Sequence, residues 1–170
     1  MQHSPSVSVT RFAQLEPGAL FLWRHREGSC VSIVADDQDG QKYIVPLGPA
    51  FPADIGGPSL VHSTGVTVVS FGKDYTLRLP VQPTEWFLET PPPNIHCILV
   101  ADGRAYIRVN YILRPNEFSP CYVDLDTGFI FVRGTGGFRE FVTPPGTGAF
   151  AIEWKIVTRE EDPRVILAYP

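Results

Sequence analysis

The chain has 170 residues, of which 44% are hydrophobic and 19% charged, and its formal net charge is −4. This composition excludes a disordered chain, and the acidic balance argues against a general binder of phosphate backbones. The 15 glycines and 17 prolines are scattered without a period, which excludes a collagen-like repeat. They predict many short elements joined by turns.

The predicted elements are almost all strands. The segment from Ser8 to Glu16 holds at most one helical turn, and short runs rich in β-branched and aromatic residues follow it. In chain order they are LFLWR, CVSIVAD, KYIVPL, VTVVSF, YTLRLP, EWFLE, CILVAD, AYIRVNYIL, CYVDLD, FIFVRG, FREFV, AFAIEWKIVT and VILAY. We expect a single β-rich domain over residues 1–170, an all-β antiparallel meander of about 10–13 short strands with little helix, arranged as a barrel or sandwich.

Four hairpins are predicted from turn chemistry. Asp102-Gly103 is typical of a tight two-residue turn with positive φ, and the other three connections are longer and rich in Asp, Gly or Pro. The predicted pairs are Val31–Ala35 with Lys42–Val45, Ile98–Ala101 with Ala105–Val109, Tyr122–Leu125 with Phe129–Val132, and Trp154–Val157 with Val165–Ala168. Consecutive hairpins of this kind make a meander.

The first two hairpins resemble one another in sequence. CVSIVADDQDGQKYIV, from Cys30 to Val45, is echoed by CILVADGRAYIRV, from Cys97 to Val109. One interpretation is a duplication, with similar halves at 12–57 and 80–133. The alternative is that Asp-Gly turns between β-branched runs produce the similarity without common origin.

The cysteines and the N-terminal stretch favour a cytoplasmic location. Cys30, Cys97 and Cys121 form no CxxC pair, and each begins an apolar run, so we expect buried free thiols rather than disulfides. The stretch MQHSPSVSVTRF lacks the pattern of a signal peptide, and no apolar run reaches the ~20 residues of a membrane-spanning helix. We expect a soluble, cytoplasmic protein with no membrane partner.

Motifs that define catalytic or metal sites are missing from the sequence. It has no GxSxG, SxxK or P-loop, and its four histidines form neither HxH nor HExxH. We therefore predict no catalytic residues, no metal and no cofactor. Asp36, Asp37 and Asp39 fail the EF-hand spacing, so we interpret them as a solvated hairpin tip, with weak cation binding as the alternative.

The strand from Arg104 to Arg114 carries the most suggestive candidate surface. Alternation places Arg104, Tyr106 and Arg108 on one face, where they can stack on bases or hold a carboxylate or phosphate. The alternative is a solvated face paired with acids across the sheet. Three further binding candidates are Trp86, in an aromatic run, and His62 and His96, in strand-like runs.

Three classes of function remain after these exclusions. The favoured hypothesis is a binding or interaction module without catalysis, whose partner is a protein or a small ligand, with a homo-oligomer as one way to cover poorly charged edge strands. The second is an enzyme with a site assembled from His62, His96, Glu85 and Arg108. The third is a nucleic-acid-associated β-barrel that uses the Arg/Tyr face, although the net charge makes nucleic acid an unfavoured partner.

Overall fold

The computed structural model describes residues 7–25, 28–47, 59–60, 65–79, 87–88, 90–91, 95–114, 117–134, 139–146, 148–160 and 162–169. Within them the chain is all-β with a single 3-10 turn, Phe12–Gln14, which confirms the predicted fold class. The strands are β1 (Ser8–Arg11), β2 (Leu20–His25), β3 (Gly28–Asp36), β4 (Lys42–Pro46), β5 (Ser59–Leu60), β6 (Thr67–Gly72), β7 (Tyr75–Arg78), β8 (Phe87–Leu88), β9 (Cys97–Ala101), β10 (Arg104–Arg114), β11 (Glu117–Asp124), β12 (Val132–Arg133), β13 (Glu140–Phe141), β14 (Gly148–Ala151), β15 (Trp154–Thr158) and β16 (Val165–Tyr169).

The sixteen strands of the described residues exceed the thirteen predicted runs for three reasons, the first of which is β5, a two-residue strand that no predicted run covers. Ser8–Glu16 holds the one helical turn that the sequence allowed, Phe12–Gln14, but it also contains β1, a strand that was not predicted. The run AFAIEWKIVT divides at Ile152 into β14 and β15, which belong to different sheets. Its even alternation of apolar residues gave no sign of that bend.

The strands form four sheets within the described residues. The orders are β1-β6-β2-β3-β4-β5, β11-β10-β9-β14-β8, β16-β15-β7 and β12-β13, and none of these sheets closes into a barrel. The runs β2 to β5 and β9 to β11 are meanders that each contain one of the predicted hairpins, whereas β6 and β14 insert from distant parts of the chain. All paired strands are antiparallel.

Three of the four predicted hairpins form as paired strands, and the third is a turn with a single antiparallel bridge, between Val123 and Ile130. Ala35 pairs with Tyr43 in the first, Ala101 with Arg104 in the second, and Ile156 with Leu167 in the last. In the third, the Asp124 carboxylate accepts the backbone N–H groups of Asp126 and Thr127, which closes the turn. Asp102 and Gly103 have φ of 51° and 74°, the positive values that the two-residue turn requires.

The two similar hairpins sit differently in their sheets. β3 and β4 are flanked by β2, the strand just before them, while β9 and β10 are separated from β8 by β14. Asp36 lies within a strand and pairs with Lys42, whereas its counterpart Asp102 occupies a turn. The duplication into halves 12–57 and 80–133 stays a prediction.

The main core lies between the three larger sheets. Its buried members come from strands of all three, including Ile33, Ile107 and Ile156, each fully inaccessible to solvent. Burial of such apolar surface is the dominant favourable contribution to folding. Cys30, Cys97 and Cys121 are buried thiols outside any disulfide among the described residues, as predicted, and burial raises the pKa of the Cys97 and Cys121 thiols.

A close backbone contact joins the turn at Pro17 and Gly18, the entry turn into β2, to the third hairpin. The Cα of Gly128 packs against the backbone of Pro17 and Gly18 so tightly that a side chain at residue 128 would collide with it. The Gly18 carbonyl also accepts a hydrogen bond of 2.8 Å from the hydroxyl of Tyr75, the first residue of β7. This contact fixes the start of β7, next to the surface groove described below.

Candidate functional site

The predicted Arg/Tyr face of β10 is an interior surface. Tyr106, Arg108 and Asn110 are only 4%, 7% and 8% exposed. A second apolar cluster, with members such as Phe150 and Phe131, packs over Tyr106 on this side of the sheet. The residues share one face as alternation predicted, but that face is covered, so it offers no open platform for bases.

Arg108 and Asn110 organise the chain segment that leads into β9. The Arg108 Nη1 lies 3.4 Å from the Ile95 carbonyl and 3.9 Å from the Cys97 Sγ, and the Asn110 Nδ2 donates to the same carbonyl at 2.9 Å. Tyr122, across the strand pair from Arg108, is also hydrogen-bonded to it. Hydrogen bonds from buried polar side chains to backbone carbonyls are what structural residues make.

His96 lies beside this cluster. Its Nδ1 is 3.4 Å from the Leu47 carbonyl, and its own carbonyl accepts from the Trp154 indole at 3.3 Å. Desolvation lowers the pKa of the His96 imidazole, and the nearby Arg108 charge acts in the same direction, against weaker raising by backbone hydrogen bonds. The shift favours the neutral form of the imidazole.

The remaining predicted binding residues are not gathered at one place. Arg104 is exposed at the start of β10, where its Nη1 pairs with the Asp124 carboxylate at 3.0 Å. Trp86, His62 and Glu85 lie outside the described residues. The binding roles of these residues, and the enzyme site that includes His62 and Glu85, stay predictions.

The aspartate cluster is a solvated hairpin tip only in part, because Asp39 is exposed and Asp37 is buried. The Asp37 side chain is 1% exposed and forms an ion pair with Arg139 Nη1, while Arg139 Nη2 reaches the Asp39 carboxylate at 3.2 Å. The Tyr43 hydroxyl donates to Asp37 at 3.1 Å, and two backbone N–H groups bind the other Asp37 oxygen. The expectation was wrong for Asp37 because sequence spacing gave no indication that Arg139, about one hundred residues away, would cover the loop.

An open groove of about 220 Å³ lies at one end of the three-stranded sheet. Its walls come from the end of β6, the turn into β7, the end of β15 and the start of β16. The lining residues are Phe71, Asp74, Thr158, Glu160, Arg164, Val165 and Ile166.

Pairing of β7 with β15 brings the two loops of the groove together. Thr158 pairs with Tyr75, so the turn before β7 meets the loop after β15. Arg159 fastens them: its Nε donates to the Tyr75 carbonyl at 2.8 Å. Within the loop, the Thr158 hydroxyl accepts the Arg164 backbone N–H at 3.0 Å, and the Thr158 N–H donates to the Arg164 carbonyl at 2.9 Å. Asp74 and Glu160 thereby reach the same groove from loops far apart in the sequence.

The charged groups of the groove have no ion-pair partner among the described residues. The carboxylates of Asp74 and Glu160 and the guanidinium of Arg164 make neither salt bridges nor side-chain hydrogen bonds there. Beside them, Val165 is 57% exposed, one of the three large hydrophobic residues that the described surface exposes most. The groove thus presents two acids, one base and an apolar wall to solvent.

Sequence reasoning identified the TREEDPR loop only as a hairpin connection. Glu160 and Arg164 lie in it, and Asp74 lies in a turn that attracted no prediction. No local motif marks them, because their proximity depends on a strand pairing between residues about eighty positions apart. The unusual density of charge in TREEDPR was the one feature that could have drawn attention to the loop.

The described residues contain neither a metal-binding cluster nor a membrane-spanning helix. No group of three or more His, Cys, Asp or Glu side chains there is placed to hold a metal ion. Nor does that part of the chain contain a helix with the length and apolar character needed to cross a bilayer.

Comparison of the chain with protein-family models, with curated proteins and with solved structures gives no match. The geometry of the groove therefore carries the functional argument.

Proposed function

We propose that this protein is a binding module without catalysis, and that the groove between the β6–β7 turn and the β15–β16 loop is its ligand site. The observation that carries the proposal is the set of unpaired charges beside an exposed apolar residue: Asp74, Glu160 and Arg164 next to Val165. Unpaired charges and exposed apolar surface in one concave region are typical of a ligand-binding site.

The charges favour a ligand with a cationic group. Among the lining residues two carboxylates outnumber the single guanidinium, while the neighbouring Arg159 lies outside the lining with its Nε on the Tyr75 carbonyl, so the lining itself is negative. An ammonium or guanidinium that lies between Asp74 and Glu160 gains charge-assisted hydrogen bonds, which are stronger than neutral ones. An adjoining apolar part of the ligand would cover Phe71, Val165 and Ile166.

The size of the groove favours a small group rather than a large molecule. At about 220 Å³ it lies below the common range of about 300–1,000 Å³ for drug-sized ligands. A single side chain or a small aromatic amine fits this volume. The Thr158 hydroxyl, the one alcohol in the lining, already accepts a backbone hydrogen bond that holds the loop, which supports binding rather than nucleophilic chemistry.

A matched set of small probes tests the proposal. Benzylamine, benzyl alcohol and benzoate share an aromatic ring and differ in charge, and each is titrated into the protein while the melting temperature is followed. Because a ligand that binds only the folded state stabilises it, benzylamine should raise the melting temperature dose-dependently, and benzoate should not.

Two variants connect any shift to the groove. The double variant Asp74→Asn, Glu160→Gln keeps size and removes both charges, so it should lose the response to benzylamine. Glu153→Gln removes an exposed carboxylate outside the groove and should keep it. An equal shift with benzoate, or an unchanged response in the double variant, would refute the proposal.

A further inference from the structure

The strand that borders the groove has an unprotected edge. β16 is the outermost strand of the β16-β15-β7 sheet, and among the described residues no strand pairs with its outer side. Its sequence, VILAY, contains neither a charged residue nor a proline. Unpaired N–H and C=O groups along such a strand form a template for another strand.

The other edge strands of the described sheets carry the usual protection. β1 contains Arg11, β7 contains Arg78, and β11 contains Glu117 and Pro120. β5, β8, β12 and β13 have two residues each, too short to template a partner strand. Charged residues, prolines and short length prevent an edge strand from pairing with another chain. Among the described edge strands only β16 lacks all three, which indicates that its outer edge pairs with another strand.

We propose that a partner protein adds an extended segment to the outer edge of β16 and places a lysine or arginine side chain of that segment in the groove. This inference rests on the proposed function and names its ligand class. Backbone hydrogen bonds along β16 provide affinity, and the pocket that receives one side chain provides selectivity, which is the division of roles in strand addition.

Charge selects a partner segment over a second copy of this chain. If β16 of one molecule paired with β16 of another, the added strand would be VILAY, which offers no cation to Asp74 and Glu160. The groove carboxylates would then be covered without a partner, and burial of an unpaired charge is costly. A basic side chain on a different segment supplies the missing charge, and Arg164 can donate to carbonyls of that segment.

The test uses a fluorescein-labelled, terminally blocked heptapeptide of alternating valine and threonine with one central lysine. Its binding is measured by fluorescence anisotropy, beside two analogues: one with glutamate in place of lysine, and one with three alternate backbone nitrogens methylated. Methylation keeps every side chain and removes strand hydrogen bonds, so we expect affinity to fall at least about tenfold. The glutamate peptide should bind at least about tenfold more weakly as well.

Two lysine variants locate the edge. Ala168→Lys puts a protective charge on an exposed position of β16 outside the groove, and Val9→Lys puts the same charge on β1, the edge of another sheet. Ala168→Lys should weaken the peptide and leave benzylamine binding unchanged, whereas Val9→Lys should affect neither.

The outcomes separate the two proposals. If the methylated peptide binds as well as its parent, strand addition is refuted while the groove remains a binding site. If neither the peptide nor benzylamine binds, the proposed function fails and this inference fails with it. A concentration-dependent dimer that Ala168→Lys abolishes, without peptide binding, would assign the edge to a second copy and overturn the proposal.

Discussion

Replacement of Gly128 by alanine should destabilise the protein far more than the same replacement at Gly40. Both glycines lie in the left-handed region, with φ of 72° and 73°, where a side chain costs roughly 1–2 kcal/mol. A Cβ at Gly40 would meet nothing within 4 Å, so that backbone cost is the whole expected effect. Gly40→Ala is therefore a matched control.

At Gly128 the added carbon meets backbone atoms. It would lie 2.8 Å from the Gly18 Cα and closer still to the Gly18 nitrogen and the Pro17 carbonyl carbon, against about 3.5–4.0 Å for a normal carbon contact. The two segments must separate, which strains the hydrogen bonds from Gly18 N–H to Val34 O at 2.8 Å and from Asp36 N–H to Gly128 O at 3.0 Å. At about 1 kcal/mol for each bond, the total loss for Gly128→Ala becomes about 3–4 kcal/mol.

Urea unfolding followed by tryptophan fluorescence measures both variants, with the midpoint and slope compared to the parent protein. We expect Gly128→Ala to lose at least about 1.5 kcal/mol more unfolding free energy than Gly40→Ala. Equal losses in the two variants would refute the close backbone contact between the third hairpin and the entry turn.

Three further predictions concern buried polar groups. The buried Ser32 hydroxyl has no hydrogen-bond partner among the described residues, so Ser32→Ala should leave the unfolding free energy unchanged or raise it by about 1 kcal/mol. A clear loss in urea unfolding would contradict this. Arg139→Met leaves the Asp37 carboxylate buried without its cation and should lower the unfolding free energy by about 3 kcal/mol. In a double-mutant cycle, the further change Asp37→Asn should recover part of that loss. Fully additive losses would argue against the ion pair. Burial lowers the pKa of His96 below 6.5 in the folded state, so the unfolded chain binds the proton more readily. Stability should therefore fall as the pH decreases below 6.5. Urea midpoints measured at three pH values should show a smaller decrease in His96→Gln than in the parent protein.

Local chemistry made the hairpins predictable. Asp102-Gly103 requires positive φ at both positions, and the structure has it. Where the periodicity of apolar residues continued through a bend, as at Ile152, the sequence predicted one strand and the chain formed two. Alternation identifies which residues share a face but does not say what covers that face, so Arg108 was placed on a surface that proved to be buried.

The groove was beyond sequence reasoning because it depends on pairing over long range. Asp74 and Glu160 meet through the register of β7 with β15, in which Thr158 lies opposite Tyr75. The same reason explains the misplaced Asp37, whose partner Arg139 arrives from the other end of the chain. Contacts of this kind are set by tertiary packing, and single-sequence patterns carry no record of them.

The most direct test of the central claim is an ¹H–¹⁵N correlation NMR titration with benzylamine, repeated with benzoate. If the groove is the ligand site, benzylamine should shift the amide resonances of residues 71–74 and 158–166 in a saturable manner, and benzoate should leave them unchanged. Shifts that instead cluster around Arg108, or that are the same for both probes, would contradict the account.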